Sequence, residues 1–198
     1  MKSSPLILCI FFLAFLMCIT GCQKDDASDS HLPDELPPIT QSGEQTFGCL
    51  LNGEIWIPKH YSNSIVNPPV VLEANWDIWN GSILNVYANH FRNRDDENSP
   101  REVLGFSINI NDNVAKDTMY LQHKIEPSHF FYEKDQIAIS QFKVYISIEN
   151  SSSWIYFSRL DTINRVASGT FSIDLLNYED KTDNDTIQIR DGRFDVRF

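Results

Sequence analysis

The sequence predicts an all-β domain, an antiparallel sandwich or up-and-down barrel of about nine or ten strands, and three observations predict it. Apolar and polar residues alternate at Leu104, Phe106, Ile108 and Ile110, at Phe142, Val144, Ile146 and Ile148, and at Phe171, Ile173 and Leu175, the period of a pleated strand. Three Asx-Gly pairs, Asn52-Gly53, Asn80-Gly81 and Asp191-Gly192, stand between such runs, where two-residue hairpin turns require positive φ. No segment sustains a 3.6-residue period, and the best helical candidates, 114–123 and 128–137, are short and uncapped.

Taken from the amino terminus, residues 1–21 have the layout of a signal peptide. Lys2 precedes the near-apolar run Leu6–Thr20, which is shorter than the ~20 residues a spanning helix needs. Ile19-Thr20-Gly21-Cys22 then resembles the bacterial lipobox, in which a small residue precedes the cysteine that is acylated. The resemblance implies cleavage before Cys22 and fatty acylation, palmitate included, at its sulfur, and two or more chains give stable anchoring. Gln23, Lys24, Asp25 and Asp26 resemble the acidic export signal that sends lipoproteins of Bacteroidota to the outer face of the outer membrane. The expected location is therefore the outer membrane, facing the cell exterior.

Residues 22–45 read as an acidic tether. Six acids stand there against Lys24, together with Pro33, Pro37 and Pro38 and few apolar residues, so the stretch cannot bury enough surface to offset its ordering entropy. It is expected to be disordered, with a root-mean-square span of roughly 27 Å for a flexible coil. Cys9 and Cys18 leave with the signal peptide and Cys22 is expected to carry lipid, so Cys49 has no intrachain partner and no disulfide framework forms. A lone cysteine in an apolar strand is a small buried hydrophobe.

Residues 46–198 form the predicted body. Pairing across Asn52-Gly53 sets Cys49 against Trp56 and Leu50 against Ile55, leaving both faces largely apolar, as in a central or doubly covered element. Ile137 and Ile139 are out of phase with the run from Phe142, so a bulge or bend is expected near Ser140-Gln141. Pairing across Asp191-Gly192 puts Ile187, Ile189, Phe194 and Val196 on one face. Gln188, Arg190, Arg193, Asp195 and Arg197 occupy the other, expected to be solvated, with Asp195 offsetting Arg190 and Arg193. The longest polar connections, 92–101 and 178–185, are where a β scaffold tends to carry function.

The body also resembles a family. Thr46-Phe47 with Leu51-Asn52-Gly53-Glu54-Ile55-Trp56, Gly169-Thr170-Phe171-Ser172 and the closing Asp191-Gly192-Arg193-Phe194-Asp195-Val196 are similar to uncharacterised outer-membrane or surface lipoprotein families of Bacteroidota. Residues 60–165 have no counterpart in that resemblance. It implies an envelope lipoprotein with a β-rich fold and transfers no catalytic residue.

Composition bounds the function. The chain has 198 residues, 42% hydrophobic and 22% charged, and a net charge of -11, the wrong sign for neutralising phosphates, which argues against nucleic acid. The five histidines lack HExxH spacing, although His123 and His129 stand close enough in sequence to meet across a turn. No Gly-x-Ser-x-Gly elbow, phosphate loop or dinucleotide fingerprint occurs. Asp180, Asp183 and Asp185, and separately Asn109, Asn111, Asp112 and Asn113, form oxygen-rich clusters suited to calcium, without the spacing of a known calcium loop; no other cofactor is suggested.

Trp76 and Trp79 are candidate binding residues, because a strand aims residues three apart at opposite faces and an outward indole can stack on a sugar or anchor a protein. Against that stands a packing role beside the Asn80-Gly81 turn. Thr118, Thr162 and Thr186, each after Asp and before an apolar residue, resemble sites at which Bacteroidota O-glycosylate exported proteins. The expectation from sequence is a surface-tethered, non-enzymatic module binding a glycan or an envelope protein. A calycin-like carrier of a small apolar ligand, or a hydrolase with an unrecognised carboxylate pair, are the alternatives.

Overall fold

The computed structural model describes residues 35–60, 69–79, 81–91, 101–110, 118–120, 129–136, 141–147, 152–179 and 185–198. Eleven strands account for most of them: β1 (Thr46–Leu51), β2 (Glu54–Trp56), β3 (Leu72–Asp77), β4 (Ile83–His90), β5 (Glu102–Asn109), β6 (Thr118–Tyr120), β7 (His129–Gln136), β8 (Gln141–Ser147), β9 (Trp154–Asp161), β10 (Val166–Asn177) and β11 (Thr186–Arg197). They form one curled antiparallel sheet in the order β2-β1-β11-β10-β8-β7-β5-β4-β3, with β9 also on β10 and β6 on β9. The all-β antiparallel class expected from period-two patterning is the one observed. No helix occurs among the described residues; the two helical candidates contribute β6 and β7 instead.

Strand β10 makes the curl. One side pairs with β11 along its length, and the other pairs with β9 over Val166–Ser172 and then with β8 over Leu175–Asn177. Its inward Phe171, Ile173 and Leu175 are fully buried, as their alternation predicts. Phe106 on β5 packs against Phe130 at 5.0 Å and against Phe194 of β11 at 5.2 Å, although β5 and β11 are not neighbours in the sheet. Phe171 completes the cluster, 5.3 Å from Phe130 and 5.5 Å from Phe47. The interior is thus filled with rings. Lys59 extends the β2 side onto β4, its N–H donating to the Asn89 carbonyl at 3.0 Å while Phe91 N–H donates back at 2.8 Å.

Several sequence expectations are corrected. Asp191-Gly192 is not a hairpin: β11 runs straight through it, and one extra residue is accommodated against both β1 and β10. Asp191 takes φ 50°, so the same αL tolerance that suggests a turn serves a bulge. The bulge flips the pleat phase, which is why Ile187 and Ile189 before it and Phe194 and Val196 after it all face the core. Asn52-Gly53 does form its hairpin with the expected register, Cys49 opposite Trp56 and Leu50 opposite Ile55. At Asn80-Gly81 the β3–β4 hairpin forms with a five-residue connection, since Asp77 pairs Ile83. Around Ser140-Gln141, β7 and β8 pair as a hairpin down to Gln136 opposite Gln141; the bulge or bend expected there falls on residues 137–140, which lie outside the described set.

The body also begins earlier than residue 46. Asp195, expected on a solvated face, is 1% exposed, because residues 40–44 wrap it. Thr40 Oγ1 and Ser168 Oγ donate to its carboxylate at 2.6 Å, as do the backbone N–H groups of Gly43 at 2.8 Å and of Ser42 and Glu44 at 3.1 Å. Burial alone would raise this carboxyl, but the donors from Ser168, Thr40, Glu44 and Gly43 outweigh it and bring it down to about 2. Arginines hold the opposite polarity: Arg159 donates to the Gln41 carbonyl at 2.6 Å, Arg197 to Ser42 at 2.7 Å and Arg193 to Pro37 at 3.2 Å. Pro37 lies against Gly48, where a Cβ would come within 2.8 Å of the proline ring, so β1 is covered on both faces as its sequence suggests. Arg190 pairs with Asp174 at 2.6 Å instead of with Asp195.

Candidate functional site

The face of the sheet that turns away from the core carries an open trough of about 700 Å³ across β3, β4, β5, β7 and β8. Register places Glu73, Tyr87, Gly105, Phe131 and Ile146 in one row over those five strands. The next row along the trough holds Asn89, Val103, Glu133 and Val144.

Gly105 shapes the floor. A Cβ there would meet Phe131 Cζ at 2.7 Å and Cε1 at 3.0 Å and would collide with the Val86 carbonyl oxygen, so the Phe131 ring lies across space that only glycine leaves open. Tyr87 leans on it from the other side, ring centroids 5.7 Å apart, and His129 follows at 6.1 Å. Beside these rings runs a hydrogen-bonded polar row: Ser107 Oγ donates to Asn85 Oδ1 at 2.6 Å and Asn85 Nδ2 donates to Asn75 Oδ1 at 3.0 Å. Glu73, Arg101 and Glu133 charge the rim, and the Arg101 guanidinium sits 5.6 Å over the Phe91 ring.

A second constellation closes one end of the sheet. His90, Glu102, Lys134 and Lys143 lie in a single register row, one layer beyond the buried Tyr132 and Tyr145. Trp56 Nε1 donates to Glu102 Oε2 at 2.7 Å, and Lys134 Nζ lies 3.2 Å from Oε1. Burial, then the charge of Glu102, pushes the Tyr132 phenol up, so it stays a hydrogen-bond donor. Burial lowers His90, opposed by Glu102 and assisted by Lys59. Asp185 is held below the usual carboxylate range by Lys143 and Asn177, receives Asn177 Nδ2 at 2.8 Å, and accepts from Tyr145 OH at 3.1 Å. Glu102 and Asp185 are therefore engaged by donors and cap the core.

The sequence-predicted residues scatter. Trp76 is half-buried and stacks on Phe198 at 5.1 Å, lining a smaller depression of about 480 Å³ with Ile78, Thr162 and Arg165. Trp79 lies beyond the end of β3, 91% exposed, its backbone N–H donating to Asp77 Oδ1 at 2.9 Å. The two indoles are thus not on opposite faces of one strand, and neither lines the trough. Trp56 is core, while Trp154 is only half-buried.

Asp185 serves its ion pair with Lys143, and Asp180 and Asp183 lie outside the described residues, as do Asn111, Asp112 and Asn113. Among the described residues no group of three metal-ligating side chains occurs. Thr162 is exposed in the β9–β10 turn and Thr186 is exposed at the start of β11; Thr118 opens β6. Asp161 before Thr162 is occupied locally, accepting from Asn164 N–H and Nδ2 at 2.8 Å and from Arg159 at 2.7 Å. Cys22, Gln23, Lys24, Asp25 and Asp26 lie outside the described residues.

The trough was missed because apolar alternation is assigned to the core by default. In β8 the apolar phase, Val144 and Ile146, points outward, and Lys143 and Tyr145 point inward. The unbroken His129-Phe130-Phe131-Tyr132 run is the signal that could have found it, since an aromatic run can supply both faces of a strand. No family model matches this chain, and neither the curated proteins nor the solved structures give a significant match.

Proposed function

We propose that this chain is a lipoprotein anchored through Cys22, displayed on the outer face of the outer membrane, whose β domain is a non-enzymatic binding module. It takes a glycan or an envelope partner on the trough centred on Phe131. The observation that carries the reading is that trough: half-buried aromatic and aliphatic side chains on a solvent-facing sheet, bordered by hydrogen-bonding side chains, the mixture from which recognition surfaces are made. The lipobox-like Ile19-Thr20-Gly21-Cys22 and the Lys24-Asp25-Asp26 that follows it support the anchor and its direction.

A carrier role is less well supported, because Phe106, Phe130, Phe171 and Phe194 occupy the volume where an enclosed ligand would sit. A hydrolase built on Glu102 and Asp185 is less well supported because both are already engaged by Trp56, Lys134, Lys143 and Asn177. The test is a photo-crosslinker replacing Ile146 in the full chain in cells, with the same group at exposed Gln188 as control. Adducts from position 146 that are absent from position 188 are expected. Equal labelling from both, or none from 146, overturns the proposal.

A further inference from the structure

We infer that the trough binds a neutral oligosaccharide, its rings stacked on Phe131 and Tyr87; the inference rests on the binding-module reading above and names its ligand. Three observations lead there. The first is the platform. Phe131 occupies the gap left by Gly105, close against the sheet, with the Tyr87 ring 5.7 Å away and inclined 50° to it, so the pair offers two adjacent aromatic faces at an angle rather than a deep slot. Two such faces suit linked rings that each carry one apolar face, one sugar unit to each aromatic.

The second is the polar border. A sugar ring that stacks through its C–H face still presents hydroxyls around its edge, and these need donors and acceptors at the rim. Asn89, Glu73, Glu133 and Arg101 provide both kinds. An apolar ligand would gain nothing from those groups, whereas ring hydroxyls can bond to them. The trough crosses five strands, about 19 Å at the usual interstrand spacing, which fits several linked sugar rings better than one.

The third is charge. Two carboxylates face one guanidinium at the rim, on a chain whose net charge is -11. A uronate or sulfated polymer would meet repulsion both locally and at long range, which disfavours an anionic ligand.

The experiment uses the detergent-solubilised full chain and affinity electrophoresis in gels containing dextran, mannan, galactan or xylan, with polygalacturonate and heparin as anionic comparators. At least one neutral polymer retards the protein, retardation changes little between 50 and 500 mM salt (about a tenfold range chosen to expose screening), and Phe131→Leu or Tyr87→Leu weakens it at least about tenfold. Leucine keeps an apolar side chain over Gly105, and an unchanged Tm establishes that the variants remain folded. Trp79→Ala leaves retardation unchanged.

Stronger retardation by the anionic polymers overturns the inference, and so does neutral binding that survives both leucine variants. If no neutral polymer binds while the crosslinker at position 146 traps a protein, the inference fails and the binding-module reading stands. If neither polymer nor adduct is seen, both fail.

Discussion

Replacing Asp195 with Asn removes one charge from a carboxylate that is 1% exposed and receives five hydrogen bonds, three from backbone N–H groups of residues 42–44 and two from Thr40 and Ser168. The fall of its pKa from 3.8 to about 2 corresponds to about 2 kcal/mol of preference for the charged form in the folded chain. Asn also turns an NH₂ toward donors on one side, leaving the buried Ser168 hydroxyl or an amide without its acceptor, a loss of about 1 to 3 kcal/mol. A destabilisation of about 3 kcal/mol is expected. Against a total of roughly 5–15 kcal/mol, the variant folds with a urea midpoint lower by about 1 to 2 M for a slope near 2 kcal/mol/M.

Urea unfolding followed by tryptophan fluorescence measures the midpoint. Limited proteolysis within 35–45 reports whether the wrapping segment is released. The pH dependence carries a sign: a carboxyl lowered on folding contributes its full stabilisation above 3.8 and loses it as pH falls from 3.8 toward 2. The difference between wild type and variant should therefore shrink across that window. An unchanged midpoint at pH 7, or a difference that stays constant down to pH 2, would refute the assignment of Asp195 as the anchor of residues 40–44.

Deleting Asp191 removes the extra residue of the β11 bulge and turns Phe194 and Val196 away from the core, so the deletion variant is expected only as aggregate. Recovery of a cooperatively unfolding protein by differential scanning calorimetry would contradict the bulge. Gly105→Val forces a side chain onto Phe131 and the Val86 carbonyl and should cost about 2 kcal/mol, the range for overpacking, read as a lowered Tm; an unaltered Tm would undo the account of the trough floor. Phe171→Ala opens a cavity beneath Phe47, Phe106 and Phe130 and is expected to lose about 3–5 kcal/mol by urea titration. Cys22→Ser should abolish palmitate labelling and move the protein out of the membrane fraction, and persistent labelling refutes the lipoprotein proposal.

The sequence by itself determined the class of fold and much of its core, because burial on a sheet repeats every second residue and Phe106, Ile108, Phe171 and Ile173 display that repeat openly. It also determined the Cys49–Trp56 register, since an Asn-Gly turn is a local requirement on φ. The use made of Asp191-Gly192 was decided by the tertiary structure: local chemistry permits positive φ at Asp191, but pairing of β11 on both sides selects a bulge over a turn. The docking of residues 40–44 was likewise out of reach, because their polar composition looks like solvated chain until Asp195, Arg159 and Arg197, all more than a hundred positions away, supply partners. The trough depends on which phase of β7 and β8 faces inward. That choice is made by the curl of the whole sheet, which brings Phe106 against Phe194 and leaves Phe131, Val144 and Ile146 on the side open to solvent.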